Sequence, residues 1–195
     1  MPEMTAVERA FCQSAPWRAF TRRVVLPWAL QGERPAGDGL EIGGGSGAMA
    51  AALLRSFPGL RLTVTDYDDA MVTPARERLH PFGDRAEVRR ADASSLPFAD
   101  DSFDAVFSFI MLHHVIAWEQ AIAEAIRVLR TGGLLVGYDL LANRLSRGVH
   151  QAEGAHHRML ELGALERELA QLPTADVQLR RGLGGLVVRF RVRKR

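Results

Sequence analysis

The chain has 195 residues, 47% hydrophobic and 25% charged, with a formal net charge of +2. That is an ordinary balance for a soluble globular protein, and enough chain for one compact domain with its own core. Cys12 is the only cysteine, so no internal disulfide can form. No run approaches the roughly 20 apolar residues of a membrane span, and the N-terminus lacks the pattern of a signal peptide. A cytoplasmic protein with no membrane partner is therefore expected.

Thr5 to Leu30 reads as helical, broken near Pro16 and Pro27. Its Trp17, Phe20, Val24, Val25 and Trp28 recur at helical spacing, which points to packing. Gln31 to Asp38 carries Gly32, Pro35 and Gly37 and reads as a loop. From there strand and helix alternate. Leu40 to Gly43 is a first strand, with a helix from about Ser46 to Phe57. Leu60 to Thr65 is a second strand, followed by a helix from Asp69 to Leu79 that Asp68 or Asp69 can cap. Ala86 to Ala91 is a third strand. Phe103 to Phe109 is a fourth, almost wholly apolar, as a strand buried on both faces should be. Trp118 to Arg130 is an amphipathic helix stopped by Gly132-Gly133, and Leu134 to Leu141 is a fifth strand. Leu160 to Gln171 is helical. Asp176 to Arg181 and Leu186 to Val192 are two strands whose short connection, Gly182-Leu183-Gly184-Gly185, requires an antiparallel hairpin.

Parallel strands joined by helices give an α/β fold with a doubly wound sheet covered on both faces. Seven strands are expected, mostly parallel, with the antiparallel hairpin at the C-terminus. A single domain over 1–195 is expected, with a helical segment at 1–37 and the α/β core at 38–195. The arginines near the end, from Arg180 and Arg181 to Arg195, would suit a phosphate-bearing partner. The small net charge favours a solvated strand face with a frayed terminus.

The stretch with most chemical content runs from Gly39 to Met49. Four glycines fall within Gly43-Gly44-Gly45-Ser46-Gly47. Glycine at this density loses much backbone entropy on folding, so something must lie close to the backbone. In a doubly wound sheet, ligands bind beyond the carboxyl ends of the strands, where the strand order reverses. Gly43 to Ala48 fits the dinucleotide pattern G-x-G-x-x-G/A, with Asp66 at about the distance of a ribose-binding acid. A second pattern uses more of the chain. Glu41-Ile42-Gly43-Gly44-Gly45-Ser46-Gly47 resembles the E/D-x-G-x-G-x-G signature of class I S-adenosylmethionine-dependent methyltransferases, and in particular their small, type 11-like members. Val64-Thr65-Asp66-Tyr67 and Arg90-Ala91-Asp92-Ala93 are similar to that family's second and third strand ends. Leu96-Pro97-Phe98 with Asp101-Ser102-Phe103-Asp104 continues the match. Leu112-His113-His114-Val115 and Arg127 to Gly133 follow in register.

The resemblance implies S-adenosylmethionine as cofactor. Backbone N–H groups at Gly43, Gly44, Gly45 and Gly47 would line its methionine end and sugar, and Glu41 would meet its ammonium. Asp66 would accept from the ribose diol, a geometry that suits a carboxylate, and Tyr67 would stack on adenine. Asp92 would accept from the adenine amino group, with the Ala93 N–H donating to a ring nitrogen. Ser108 and Phe109, at the end of the fourth strand, complete the expected cofactor side. Asp104 opens the fourth strand at the opposite end and reads as structural.

Methyl transfer from a sulfonium needs neither metal nor electron sink. The enzyme chiefly aligns an acceptor, and a general base helps only where the acceptor keeps its proton. Candidates for that role are His113, His114 and Tyr138. Adenine-side packing or helix-start hydrogen bonding accounts for the histidines equally well. The Asn/Asp-Pro-Pro-Tyr of amide and base N-methylating branches is absent after the fourth strand, where Ser108-Phe109-Ile110-Met111 stands. No basic, aromatic-rich appendage points to nucleic acid. A small-molecule acceptor is therefore expected. Asn143 to Met159 holds His150, His156 and His157 with Arg144, Arg147 and Arg158. Adjacent histidines point to different helix faces, so no metal is expected. An acceptor lid with an anion-friendly arginine or a solvated helix fits better. A methyltransferase-like subunit that binds cofactor without turnover, and an NAD-dependent oxidoreductase, are the competing functions.

Overall fold

The computed structural model describes residues 19–142 and 158–195. Seven strands form one sheet: β1 (Gly37–Ile42), β2 (Leu60–Asp66), β3 (Ala86–Arg90), β4 (Phe103–Phe109), β5 (Leu129–Leu140), β6 (Thr174–Gly182) and β7 (Val187–Lys194). Their order is β3-β2-β1-β4-β5-β7-β6. The strands β1 to β5 pair in parallel. Only β7 runs against its neighbours, wedged antiparallel between β5 and β6. The order reverses between β1 and β4, both of which follow from the short crossovers of a doubly wound sheet.

Two cores sandwich the sheet. Leu40 and Ile42 of β1 face one core, with Val106, Leu135 and the apolar sides of α4 (Trp118–Val128) and α5 (Leu162–Gln171). Alternation along β1 turns Gly39 and Glu41 to the other face. There Leu60, Leu62, Val64 and Phe107 pack with α1 (Leu26–Leu30) and α2 (Ala48–Ser56), and with Leu79 of α3 (Asp69–Leu79). The buried stripe of α4, Ala121, Ile122, Ala125 and Ile126, recurs at helical spacing.

Several boundaries differ from the sequence expectation. β1 starts at Gly37, not Leu40, because Gly37 N–H already donates to Gly59 O and the pairing with β2 extends that far. Gly43 therefore belongs to the turn. α4 ends at Val128, two residues early, and β5 runs straight through Gly132-Gly133 instead of starting after them. A register shift between Phe103 and Ala105 absorbs the glycines, and Gly132 takes a φ of 78°. Pro27 does not break the N-terminal helix; it sits in the first turn of α1, where a missing N–H costs nothing, behind a π-helical turn at Thr21–Val25. The residues N-terminal to Ala19, including Cys12, Pro16 and Trp17, lie outside the described residues. So does 143–157, with His150, His156 and His157.

The C-terminus is not frayed. β7 pairs along its length, and Arg195 N–H donates to Pro173 O. Arg191 bonds Glu33 and Asp176, Arg193 bonds Glu33, and Lys194 bonds Asp101. Asp104 accepts from Asp38 N–H and pairs with Arg130 at 2.8 Å, at the amino end of β4, in the structural place expected of it.

Candidate functional site

The glycine turn leaves β1 at Ile42 and enters α2 at Ala48. Gly43, Gly45 and Gly47 have φ of 62°, 53° and 75°, a region closed to most side chains. At Gly44 a Cβ would strike Val64 Cγ1, while nothing lies within 4 Å of the place a Gly45 Cβ would take. The turn is thus packed on its inner side and open at Gly45. Its N–H groups are more committed than the sequence suggests. Gly44 N–H donates to Thr65 O at 2.9 Å, Gly45 N–H to Asp66 Oδ2 at 2.7 Å, and Gly47 N–H to Gly44 O at 2.9 Å.

Glu41 sits beneath this turn, flanked in register by Val64 of β2 and Phe107 of β4. It is 1% exposed, and its Oε2 has no hydrogen-bond partner among the described residues. Burial, then the charge of Asp66, pushes its pKa up to about 8. A buried carboxyl group with an unmet oxygen beside an open glycine turn suits a cationic donor. Asp66 ends β2 next to it. Its Oδ1 accepts from Asp68 N–H at 2.9 Å and its Oδ2 from Gly45 N–H. Burial raises its pKa and these bonds only partly oppose the rise. Asp68, not Asp66, caps α3, accepting from Ala70 N–H. Tyr67 lies under Arg90, whose guanidinium is 5.2 Å from the ring centre.

Asp92 follows β3, held near Asp66 by the Ala91 N–H bond to Asp66 O. Its Oδ1 accepts from the Ser94 N–H and hydroxyl, so turn chemistry occupies one oxygen. Ala93 is buried behind it. At the end of β4, Ser108 is fully buried, its Oγ without a hydrogen-bond partner among the described residues, and Phe109 packs on Tyr138 at 5.8 Å.

His113 is 3% exposed, and its Nδ1 meets Asp139 Oδ1 at 2.6 Å. Asp139 also accepts from the Leu112 and Leu140 N–H groups, both at 2.6 Å. A carboxylate facing three donors assigns the proton to His113 Nδ1. The His114 ring stacks on His113 with centroids 3.9 Å apart. Asp139 falls inside the expected fifth strand, and its adjacency to His113, 26 residues away, has no local signal in the sequence. Trp28 belongs to a helical stripe that points to packing but could also form part of a lid; it lies edge-on to Tyr138 at 5.3 Å. Arg158, one of the three arginines of the expected lid segment, is committed to Glu119 at 2.6 Å and to Ile116 O. Among the described residues, no group of three His, Cys, Asp or Glu is placed to hold a metal.

The structure therefore brings Glu41, Gly43, Gly44, Gly45, Gly47 and Asp66 into one place. Tyr67, Asp92 and Ala93 stand at the adjoining strand ends on the β3 side. Ser108, Phe109, His113, His114 and Tyr138 stand on the β5 side.

Residues 40–137 match the family model described as a methyltransferase domain. The chain is 40% identical over 120 residues to a demethylmenaquinone methyltransferase of Clavibacter sepedonicus, covering 62% of this chain and 45% of that protein. It is 40% identical over 99 residues to the ubiquinone/menaquinone biosynthesis C-methyltransferase UbiE of Paracoccus denitrificans, covering 50% of this chain and 40% of that one. It thus spans less than half the length of these relatives. Among solved structures it is similar to the PH0226 protein from Pyrococcus horikoshii OT3, with a TM-score of 0.78, 17% identity, and coverage of 99% of this chain and 100% of that chain.

Proposed function

Because this chain belongs to the methyltransferase-domain family, in the class that uses S-adenosylmethionine, we propose that it transfers that cofactor's methyl group in line to a small aromatic acceptor, on carbon. The observation that carries the cofactor reading is Glu41, buried and unmatched beneath the glycine turn. S-adenosylmethionine, when bound, supplies an electrophilic methyl on a sulfonium and an ammonium group for Glu41. Asp66 takes the ribose diol. Each of its oxygens already accepts one N–H and keeps a lone pair for a hydroxyl. The second oxygen of Asp92 and the Ala93 N–H read the adenine edge, with Tyr67 alongside. Met111 packs against Gly43, while Ser108, opposite Ile42, and Phe109 would border the cofactor from the end of β4.

Support for a carbon acceptor comes from the relatives' names and from the aromatic cluster of Trp28, Tyr138 and Phe109, in which Tyr138 and Phe109 are buried and Trp28 is partly exposed. These side chains hold a planar ring against the methyl donor, and positioning supplies most of what an in-line transfer needs. Asp139 fixes His113 in one tautomer and orientation at the mouth, where His114 is the more exposed of the two rings. Methylation of an aromatic carbon forms the new C–C bond as the methyl–sulfur bond breaks and then releases the proton of that carbon, whose removal falls to this pair or to Tyr138.

The test is calorimetric titration near pH 7 in buffers of differing ionisation enthalpy. A Glu41 pKa of about 8 leaves the group mostly protonated before binding. S-adenosylmethionine should then bind with release of close to one proton, and Glu41→Gln should bind more weakly with none. Tight NAD binding with no response to S-adenosylmethionine would overturn the reading. Cofactor binding without release of S-adenosylhomocysteine across quinol and phenol acceptors would favour the binding-subunit alternative.

A further inference from the structure

The register of the sheet lines up four side chains on the face that carries Glu41. Phe109 pairs with Tyr138, Tyr138 with Arg189, and Arg189 with Arg180. Cross-strand partners project on the same side, so two aromatic rings are followed by two guanidinium groups along the carboxyl end of the sheet. The other cations of β7 are matched: Arg191 and Arg193 by Glu33 and Asp176, Lys194 by Asp101. Arg189 is not. Among the described residues neither it nor Arg180 pairs with a carboxylate.

Arg189 is partly buried and held in one pose. Its Nη1 donates to Trp28 O at 2.8 Å, and its guanidinium lies 4.6 Å from the centre of the Trp28 ring. Its Nε is buried with no acceptor among the described residues. Burial, and then the charge of Arg180, pushes its pKa down. Two adjacent like charges, one of them partly buried, cost free energy that a bound anion would recover. The edge of a guanidinium left after Nη1 is engaged is the Nε–Nη2 edge, which matches a carboxylate or phosphate bidentately.

We propose that Arg189, with Arg180 beside it, is a subsite for an anionic substituent, carboxylate or phosphate, on the methyl acceptor. The inference rests on the reading that the acceptor lies along Phe109 and Tyr138. From β4 to β7 is two strand spacings, about 10 Å, the span of an aryl ring with an acidic side group. An acceptor with a ring on Phe109 and Tyr138 and its acid on Arg189 would therefore be selected over a neutral ring.

Benzoate and phenyl phosphate serve as probes, with benzamide and phenol as neutral controls, titrated calorimetrically with and without S-adenosylhomocysteine. The anions should bind saturably, more weakly as salt rises, and the neutral controls about tenfold less well, the worth of one charge-assisted hydrogen bond. The preferred anion identifies the group. Arg189→Gln should lose about tenfold, Arg189→Lys should retain part of the affinity, and neither should alter S-adenosylhomocysteine binding. Arg180 is exposed, so Arg180→Gln keeps the fold and should still weaken both anions if Arg189→Gln unfolds. Equal binding of benzamide and benzoate, or undiminished anion binding in the variants, overturns the proposal. Loss of S-adenosylhomocysteine binding by the wild type would instead strike the cofactor reading, because the anion titrations without it stand independently.

Discussion

Glu41 is a carboxyl group that the fold holds away from water, with no partner for its Oε2 among the described residues, and this has a consequence for stability. Its pKa is raised from 4.5 to about 8. The folded chain therefore keeps a proton that the unfolded chain gives up between those two values. Unfolding releases it, so stability is greatest below the unfolded value and falls as the pH rises toward 8. The slope for one such group is about 1.4 kcal/mol per pH unit. Urea unfolding should show the cofactor-free protein losing about 2 kcal/mol between pH 6 and pH 8 on this account, with Glu41→Gln largely free of the loss. Parallel curves for the two proteins would show that Glu41 carries no such burden. Gly137 makes a different kind of demand. A Cβ there would strike the Ser108 carbonyl oxygen and approach Phe190 at 2.8 Å. Both obstacles belong to packed strands, so Gly137→Ala should destabilise by about 3 kcal/mol, read as a shift in the urea midpoint. A neutral result would mean that β4 and β5 can separate at this point.

At the scale of elements, Asp139 joins pieces that the chain itself leaves apart. It closes β5, yet it accepts from Leu112 N–H and His113 Nδ1 in the segment after β4. Arg158 N–H then donates to His113 O, and Ala142 N–H to Leu160 O, so a third segment is tied to the two that Asp139 joins. Asp139→Ala strands three donors and should cost about 3 kcal/mol of stability; Asp139→Asn, which keeps an acceptor, should cost less. Equal losses in the two variants would mean that packing, not hydrogen bonding, sets the effect. None of this was legible in the sequence, because a hydrogen bond across two strand ends leaves no periodicity. What was legible was local. The β4 run Phe103–Phe109 is buried nearly throughout, as its composition implied. Asp68 caps α3 through Ala70 N–H, as its position implied. The end of α4 was misplaced because Gly132-Gly133 looks like a helix stop. Strand pairing of Leu129 with Phe103 ended the helix first.

For the whole molecule, alternation of strand and helix was enough to foresee a seven-stranded, mostly parallel sheet. It was not enough to place β7 between β5 and β6, and that insertion decides which residues share a row. Arg189 reaches Trp28 across 161 positions only because of it. On the proposed reading the cofactor and acceptor sites divide the sheet into two halves that meet where β1 adjoins β4. Glu41 lies on β1, Asp66 at the end of β2 and Asp92 just past β3, all to one side. Phe109, Tyr138, Arg189 and Arg180 lie on the strands to the other. Asp66 on β2 is four strand spacings from Arg189 on β7, about 19 Å. At that distance, with no shared partner, effects on binding should add to within about 0.5 kcal/mol. Asp66→Ala should weaken S-adenosylhomocysteine by about 1–3 kcal/mol, the cost of unpairing hydrogen bonds in a buried site, and leave benzoate binding as it was. Arg189→Gln should do the reverse, and the double variant should show the sum. A coupling energy well above that margin would mean that cofactor and acceptor halves move together. The β1–β4 junction, where the glycine turn sits, would then have to transmit the change.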